Sequence, residues 1–437
     1  MCDGGSMRIG LLDAMGYGNL GDAAIQDSVI VNIQRRLPRA RVVGFSFVPE
    51  DTVKRHGIHC YPLTRHSQQD AATTQPTDPR RKVTSALTSV LSKVPVLRAV
   101  ARAVKNAVRE SLFLARSYEV LKSLDLLIIS GGGQLCDLWG GAWAHPYNVF
   151  KFSVLARLAG SRLYFLNVGA EPLEHRLSRF FAKSAVRLAH YVSFRDAYSQ
   201  TLVRRLGVKA ETSVHADCAY GLEGTQYVQD TPSASARQIV GVNPMGFCDP
   251  RVWPRQEQSV YESYLEKLTS FSLWLLQEGY HLTLFTTSRG VDQYAVADLK
   301  RRVVERRASS DSSTRSSTWP GETVNEVLCE SVNELLGVMS GCDFVVTSKY
   351  HGVIFCQLLM KPVIALSYQK KIEVAMQPLG EGRFCASIEH FEADWLIDAF
   401  RSLVRDSETI KAQEAASVAA CADTLRRQFD ELFSPRE

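Results

Sequence analysis

The chain has 437 residues, of which 45% are hydrophobic and 22% are charged, and its formal net charge at pH 7 is +5. This length exceeds one ordinary hydrophobic core and predicts two domains, and the composition is typical of a globular protein. A positive charge this small argues against nucleic acid as a partner and is compatible with small anionic ligands.

The ten cysteines are scattered along the chain, and none lies in a Cys-x-x-Cys pair or in a cysteine–histidine cluster with zinc spacing. This predicts free thiols, no disulfide framework and no metal site. No segment reaches the roughly 18 consecutive apolar residues that span a bilayer. The first residues, MCDGGS, lack the basic and apolar regions of a signal peptide. We therefore expect folded structure to begin at Met7 and the protein to be cytoplasmic.

Apolar runs typical of strands alternate with helical patterns along most of the chain. In the first half the predicted strands are 8–12, 41–48, 125–130, 162–169 and 191–196, and the predicted helices are 22–37, 146–159, 176–189 and one behind 196. In the second half the predicted strands are 239–244, 281–287, 343–348 and 362–368, and the predicted helices are 259–278, 292–306, one after His351, and 408–434. This alternation predicts α/β domains whose parallel sheets are covered by helices on both faces.

The segment TPSASAR at 231–237 is typical of a linker between two such domains. We therefore expect an N-terminal α/β domain over 7–230 and a C-terminal α/β domain over 238–400. Both would be Rossmann-like and would face a cleft, because open parallel sheets bind ligands at the carboxyl ends of their strands. The helix within 408–437 is expected to cross back onto the first domain. The serine-rich run at 309–318 predicts a loop.

A helical insertion at about 66–120 interrupts the first domain. Its part over 80–116 carries nine basic residues and one acidic residue, Glu110, with valine and leucine at helical spacing. One interpretation is a basic amphipathic element that contacts an anionic membrane surface. The other is a surface helix that packs its apolar side on the domain and leaves its charges in solvent. The second is favoured, because Pro95 interrupts the helical pattern.

Two glycine-rich loops follow predicted strands of the first domain. In GNLGD (18–22) the glycines permit close backbone approach, and the following helix presents free N–H groups to a ligand. Asp22 either caps that helix or faces a hydroxyl-bearing ligand, since a carboxylate would repel a phosphate. The three glycines of the second loop, ISGGGQLCD, are Gly131, Gly132 and Gly133. They favour close approach of a ligand or of the neighbouring loop, and Asp137 either meets that ligand or caps a helix.

Cationic side chains gather at predicted strand ends in both domains. Lys349 and His351 follow one strand of the second domain, and Lys371 follows the next. The dipole of the helix that opens at His351 lowers the pKa of its imidazole, whereas a bound anion would raise it again. Arg195 ends a strand of the first domain and would face these groups across the cleft, while Asp196 is expected to form a structural ion pair. The arrangement predicts an anion site.

Five motifs in order, spread over nearly the whole chain, resemble those of the polysaccharide pyruvyl transferase family. They are GNLGD (18–22), GGGQLCD (131–137), FRDAYS (194–199), ADCA (216–219), and SKYHG followed by PVIALSYQKK (348–352 and 362–371). The resemblance implies two domains similar to those of GT-B glycosyltransferases. It also implies transfer of the enolpyruvyl unit of phosphoenolpyruvate onto a sugar of a surface polysaccharide or its lipid-linked precursor, which leaves a pyruvate ketal and phosphate.

The resemblance further implies which residues hold the donor. Arg195, Lys349 and His351 would contact phosphoenolpyruvate, with Lys371 as a further cation, and such charge-assisted contacts require no metal or other cofactor. One residue departs from the family pattern, because many relatives carry arginine where this chain has Lys349. Lysine keeps the positive charge but lacks the bidentate fork that matches a carboxylate or phosphate.

The chemistry needs a proton donor and a proton acceptor. We expect His351 to donate a proton to C3 of the donor or to the departing phosphate. A carboxylate would accept the proton of the sugar hydroxyl, and the candidates are Asp22, Asp137 and Asp217, in that order. Asn19, Gly21 and the three-glycine loop would then lie on the acceptor's side of the site.

Two other functions stay open. A nucleotide-sugar-dependent glycosyltransferase of GT-B type would use the glycines and His351-Gly352 against a diphosphate. A non-catalytic subunit of an export assembly is the other. If the acceptor of a pyruvyl transferase is lipid-linked, the protein works at the inner face of the membrane, which would give the basic stretch at 80–116 a role.

Overall fold

The computed structural model describes residues 6–13, 18–65, 95–222, 237–311, 324–377 and 383–433. Three predictions fall mostly or partly outside these ranges: the linker at 231–237, the serine-rich run at 309–318 and the first part of the insertion at 66–120.

The first half of the chain forms a parallel sheet with helices on its faces. Its strands are β1 (Arg8–Leu12), β2 (Arg41–Ser46), β3 (His59–Pro62), β4 (Leu126–Ser130), β5 (Arg162–Val168), β6 (Tyr191–Phe194) and β7 (Ser213–Val214). Its helices are α1 (Leu20–Arg36), α2 (Pro49–His56), α3 (Pro95–Lys122), α4 (His145–Ala159), α5 (Arg176–Leu188) and α6 (Ala197–Arg205), and a 3₁₀ turn covers Cys218–Gly221. Within the described residues the strand order is β3-β2-β1-β4-β5-β6-β7.

The second half repeats this architecture. Its strands are β8 (Ile239–Asn243), β9 (His281–Phe285), β10 (Val324–Val327), β11 (Phe344–Thr347), β12 (Val363–Ser367) and β13 (Cys385–Ser387). Its helices are α7 (Gln258–Gln277), α8 (Arg289–Asp311), α9 (Val332–Ser340), α10 (Tyr350–Leu358), α11 (Lys370–Met376) and α12 (Ala393–Arg405). The strand order over the described residues is β10-β9-β8-β11-β12-β13, and every pairing is parallel.

The order of strands determines where a ligand can bind. The connection reverses direction between β1 and β4 in the first sheet and between β8 and β11 in the second. Loops that leave the carboxyl ends of strands at such a switch point diverge to opposite faces and open a crevice. The GNLGD loop follows β1, the three-glycine loop follows β4, and Lys349 and His351 follow β11, so all three sequence motifs lie at switch points.

The last helix, α13 (Ser407–Phe433), returns to the first half of the chain, as the sequence predicts. The Gln428 side chain donates to Oδ1 of Asn167 at 2.8 Å. Arg36 of α1 forms a salt bridge with Asp430, with Nε and Oδ1 2.7 Å apart. Buried Phe429 and Phe433 anchor the same segment. The helix therefore ties the two sheets together.

Helix α3 contains the basic stretch from residue 95 onward. Pro95 is its first residue, and the part of the basic stretch that precedes it lies outside the described ranges. Proline is tolerated at this position because the first helical N–H groups have no intrahelical partner. Further along, Glu110 lies 3.5 Å from Nζ of Lys151 on α4. No helix in the described part of the chain is long and apolar enough to cross a membrane.

Candidate active site

Loops from the two halves of the chain contact each other across the cleft. The backbone N–H of Leu20 donates to the carbonyl oxygen of Thr287 at 2.9 Å. Asn19 forms an isolated antiparallel bridge with Ser288. The cleft is therefore closed at the GNLGD loop, and the groups that line it are largely buried.

His351 packs directly against the GNLGD loop. A Cβ atom placed on Gly21 would lie 2.0 Å from Nδ1 and 2.3 Å from Cγ of His351, so only glycine fits at this position. Asn19 is the N-cap of α1, because its side chain accepts from the Gly21 N–H at 3.1 Å. Its amide nitrogen also donates to Asp22, which lies in the first turn and is not the cap. The Asn19 side chain is thus engaged within its own loop.

The three-glycine loop approaches the same helix. A Cβ on Gly131 would lie 2.5 Å from Ile25, and one on Gly132 would lie 3.0 Å from Oδ1 of Asp22. Both glycines have positive φ angles, of +47° and +59°. Gly133 differs, because a Cβ there would meet no atom of the described residues within 4 Å. Two of the three glycines are therefore explained by the approach of the neighbouring loop, one of the two alternatives that the sequence left open.

Arg195 and Asp217 form a buried ion pair beside His351. Nη1 of Arg195 donates to Oδ2 of Asp217 at 3.2 Å, and this oxygen lies 3.9 Å from Nε2 of His351. The guanidinium lies over the ring of Tyr350, 4.1 Å from its centroid. Asp196 caps α6 by accepting from the backbone N–H of Ser199 and lies 3.6 Å from Arg195 Nε. The structural ion pair expected for Asp196 is present.

The two lysines each face a carboxylate. Nζ of Lys371 lies 3.3 Å from Oε1 of Glu171, which is 4% exposed. Nζ of Lys349 lies 2.9 Å from Oδ1 of the fully buried Asp292. Neither carboxylate was predicted from the sequence. Glu171 lies just beyond the carboxyl end of β5, a position that could have signalled it, whereas Asp292 lies within α8 and gave no such signal.

Asp137 occupies a different part of the cleft. Its Oδ2 accepts from the backbone N–H groups of Glu174 and His175, each at 3.1 Å. Asp137 also lines a cavity of about 430 Å³, together with Glu171 and Gln369. Its carboxylate therefore holds the loop that follows β5, and within the described residues it forms no hydrogen bond or salt bridge with Arg195 or His351.

Burial controls the protonation of the two groups expected to move protons. Burial, followed by repulsion from Asp13, raises the pKa of the Asp22 carboxyl well above its ordinary value. Burial lowers the pKa of His351 to about 4, against the attraction of Asp217 and with help from Arg195 and the lysines. The main cause of the shift in the His351 pKa is therefore burial. At neutral pH the imidazole of His351 is therefore uncharged, and the raised pKa of Asp22 favours its protonated form.

Two buried nitrogen atoms in the cluster lack hydrogen-bond partners among the described residues: Nε of Arg195 and Nε2 of His351. Buried polar groups rarely remain unsatisfied in a folded protein, and those that do are frequently ligand contacts. Within the described ranges, no group of histidine, cysteine, aspartate and glutamate side chains has the arrangement of a metal site. The cluster in the cleft therefore brings together Arg195, His351, Lys371, Asp22 and Asp217. Asp137 and Lys349 lie at the margins of this cluster.

Comparisons with known proteins agree with this picture. A family model described as polysaccharide pyruvyl transferase matches residues 19–370. Among solved structures, the Anabaena protein HepE in complex with UDP is 16% identical, with a TM-score of 0.56 over 98% of this chain and 99% of that one. A putative UDP-N-acetylglucosamine 2-epimerase from Listeria monocytogenes is 8% identical, with a TM-score of 0.60 over 98% and 96%.

A third similar structure is the UDP-GlcNAc 2-epimerase from Neisseria meningitidis bound to UDP-GlcNAc, at 10% identity and a TM-score of 0.56 over 97% of this chain and 99% of that one. At these identities the likeness concerns the fold alone. The fold is α/β, with two Rossmann-like domains facing a cleft in the GT-B manner, and the fold class predicted from the sequence is confirmed.

Proposed function

Because this chain belongs to the polysaccharide pyruvyl transferase family, we propose that it transfers the enolpyruvyl group of phosphoenolpyruvate onto a sugar of a surface polysaccharide or its lipid-linked precursor. One sugar hydroxyl adds to C2 while C3 takes a proton. A second hydroxyl then bonds to C2 and displaces phosphate, which closes a pyruvate ketal. The observation that carries the proposal is the buried cluster of Arg195, His351 and Lys371 at facing strand ends.

The donor is an anion with about three charges, and the cluster offers it cations and unpaired nitrogen atoms. Nε of Arg195 has no hydrogen-bond partner within the described residues and is available to phosphate or carboxylate oxygens, and Nε2 of His351 is likewise unpaired and available to the reacting groups. Lys371 bridges the cleft to Glu171, so opening the cleft would release its ammonium group for the ligand. Each charge-assisted hydrogen bond formed this way contributes roughly 1.5–3 kcal/mol. Lys349 contributes less to binding the donor, because its ammonium group is held by Asp292.

The directions of these pKa shifts favour an exchange of the roles expected from the sequence. A raised pKa favours a protonated carboxyl that can donate to C3, and the carboxylate left behind can then take the proton of the first hydroxyl, which suits Asp22. An uncharged imidazole can accept the proton of the second hydroxyl, which suits His351. The negative charge of the bound donor raises the pKa of His351, so the same imidazole then retains that proton and passes it to the departing phosphate. Asp217 keeps Arg195 in position throughout.

The surface of α3 supports an acceptor at the membrane face. Val104, Val108 and Leu112 follow one another at four-residue spacing and are 57%, 54% and 56% exposed. Lys105, Arg109 and Arg116 are exposed beside them. An apolar stripe next to a row of cations is the pattern of a helix that lies in the interface of an anionic bilayer. We therefore extend the proposal to a peripheral contact between α3 and the inner face of the membrane.

Nucleotide-sugar transfer is the second candidate, because HepE was solved with UDP and the Neisseria epimerase with UDP-GlcNAc. Thermal unfolding separates the two candidates, since a ligand stabilises the folded state that binds it. We expect phosphoenolpyruvate to raise the Tm of the wild type and to lose this effect in Arg195→Met. A Tm raised by UDP-glucose or UDP-N-acetylglucosamine but not by phosphoenolpyruvate would favour the second candidate and overturn the first.

A further inference from the structure

A cavity of about 430 Å³ lies beside the cationic cluster and is lined by both halves of the chain. The first half contributes Asp137, Glu171 and Tyr198, and the second contributes Gln369 and Lys370. Glu171 lines the cavity and also contacts the cationic cluster, because its Oε1 lies 3.3 Å from Nζ of Lys371. A molecule held in this cavity is therefore next to a donor held in the cluster.

The chemistry of the cavity does not suit a second anion. Among its described lining residues, carboxylates outnumber the single lysine, Lys370, whose ammonium group is paired with Glu373. Oε1 of Gln369 is buried and has no hydrogen-bond donor in the described part of the chain. Carboxylates, a phenol and a free amide oxygen are groups that accept hydrogen bonds from hydroxyls. The cavity thus fits a neutral, polyhydroxylated ligand.

An exposed aromatic side chain belongs to the turn that lines this cavity. Trp139 lies between the lining residues Leu138 and Gly141 in the sequence, is 48% exposed and contacts Trp253 of the other half edge to face, with ring centroids 5.2 Å apart. Trp253 in turn packs on Tyr368 at 5.6 Å, and Tyr368 lies 5.5 Å from Nζ of Lys371. The indole therefore packs against the other half of the chain. A half-exposed aromatic ring on the turn that lines the cavity is a surface on which the C–H face of a pyranose can stack.

We propose that this cavity is the acceptor site, in which a neutral sugar unit of the glycan stacks on Trp139 and its hydroxyls bond to Gln369 and Glu171. The inference rests on the proposed function for the identity of the acceptor as a sugar. It moves the acceptor away from Asn19, whose side chain is engaged in capping α1. Asp137 is a positioning residue, because its carboxylate fixes the backbone of the loop that carries Glu174 and His175 along the cavity wall.

Binding of the protein to a printed array of microbial oligosaccharides tests the site. The binding of one further saccharide is titrated in solution. We expect the wild type to bind a subset of the array. Trp139→Ala and Gln369→Leu should each weaken that binding at least about tenfold, and Trp139→Phe should weaken it less. The control is Phe180→Ala, because Phe180 is 56% exposed on α5, lies outside the cavity lining and should leave glycan binding unchanged.

The stabilisation of each variant by phosphoenolpyruvate is measured in parallel, and we expect Trp139→Ala to keep it, which also shows that the variant is folded. Trp139→Ala binding the same glycans as the wild type would overturn the proposal, as would a wild type that binds no glycan. Absence of stabilisation by phosphoenolpyruvate in the wild type would instead contradict the proposed function, whatever the array shows.

Discussion

Replacing Gly21 by alanine tests how closely the two domains are fitted at the active site. The new methyl group would lie 2.0 Å from Nδ1 of His351, where an ordinary contact is about 3.5 Å, so the imidazole must retreat by roughly 1.5 Å. The ring has little room to do so, because Tyr350 and Phe355 lie beside it at centroid distances of 5.1 and 6.0 Å. We expect a loss of about 1–3 kcal/mol in the free energy of unfolding.

The sign of this effect is informative, because glycine to alanine within a helix ordinarily stabilises a protein by up to about 1 kcal/mol. A displacement of about 1 Å at a catalytic group also costs on the order of 100-fold in rate. Urea unfolding measures the first effect, and phosphate release from phosphoenolpyruvate in the presence of acceptor measures the second. Gly133→Ala is the control for stability, since a Cβ there meets nothing within 4 Å. A Gly21→Ala protein as stable and as active as the wild type would refute the reasoning.

Three further predictions concern stability and the surface. Burial raises the pKa of Glu414 to about 9, so the folded state keeps a proton that the unfolded state releases above pH 4.5, and stability falls as the pH rises from there. In urea unfolding, Glu414→Gln should therefore be more stable than the wild type by roughly 3 kcal/mol at pH 7 and by little at pH 4.5. An equal gain in stability at the two pH values would contradict this prediction. Burial lowers the pKa of His145 to about 4, so the unfolded state takes up a proton below pH 6.5 that the folded state refuses, and stability falls from pH 6.5 towards 4. His145→Gln should reduce that fall, and an unchanged pH profile would count against it. Replacing Lys105, Arg109 and Arg116 by glutamine should abolish sedimentation with phosphatidylglycerol vesicles; undiminished sedimentation would leave α3 a packing role only.

The central strands and the helices between them could be predicted because each carries a continuous apolar run or a helical period. RIGLL and LLIIS are apolar because β1 and β4 are buried on both faces of a parallel sheet. The edge strands were missed for the converse reason. Strand β10 reads VNEV and is only partly buried, and β13 reads CAS, so neither carries an apolar run. Helix α2, PEDTVKRH, is short and polar and was missed as well.

The motifs indicated most of the candidate site, but the sequence could not show how its members meet. The Gly21–His351 contact joins the first turns of α1 and α10, which lie more than 300 residues apart in the sequence, and only the packed domains produce it. The pKa shifts of Asp22 and His351 are caused mainly by burial, which the local sequence does not record. Glu171 was missed because a lone glutamate carries no pattern of its own until the fold places it against Lys371.

The central claim, pyruvyl transfer at this cluster, is tested most directly by mass spectrometry of a glycan incubated with the protein and phosphoenolpyruvate. The account predicts that the product gains the mass of one pyruvate less one water, that one phosphate is released for each product, and that Arg195→Met abolishes both. Glycosyl transfer from a UDP-sugar to the same glycan, with phosphoenolpyruvate left unconsumed, would contradict the account.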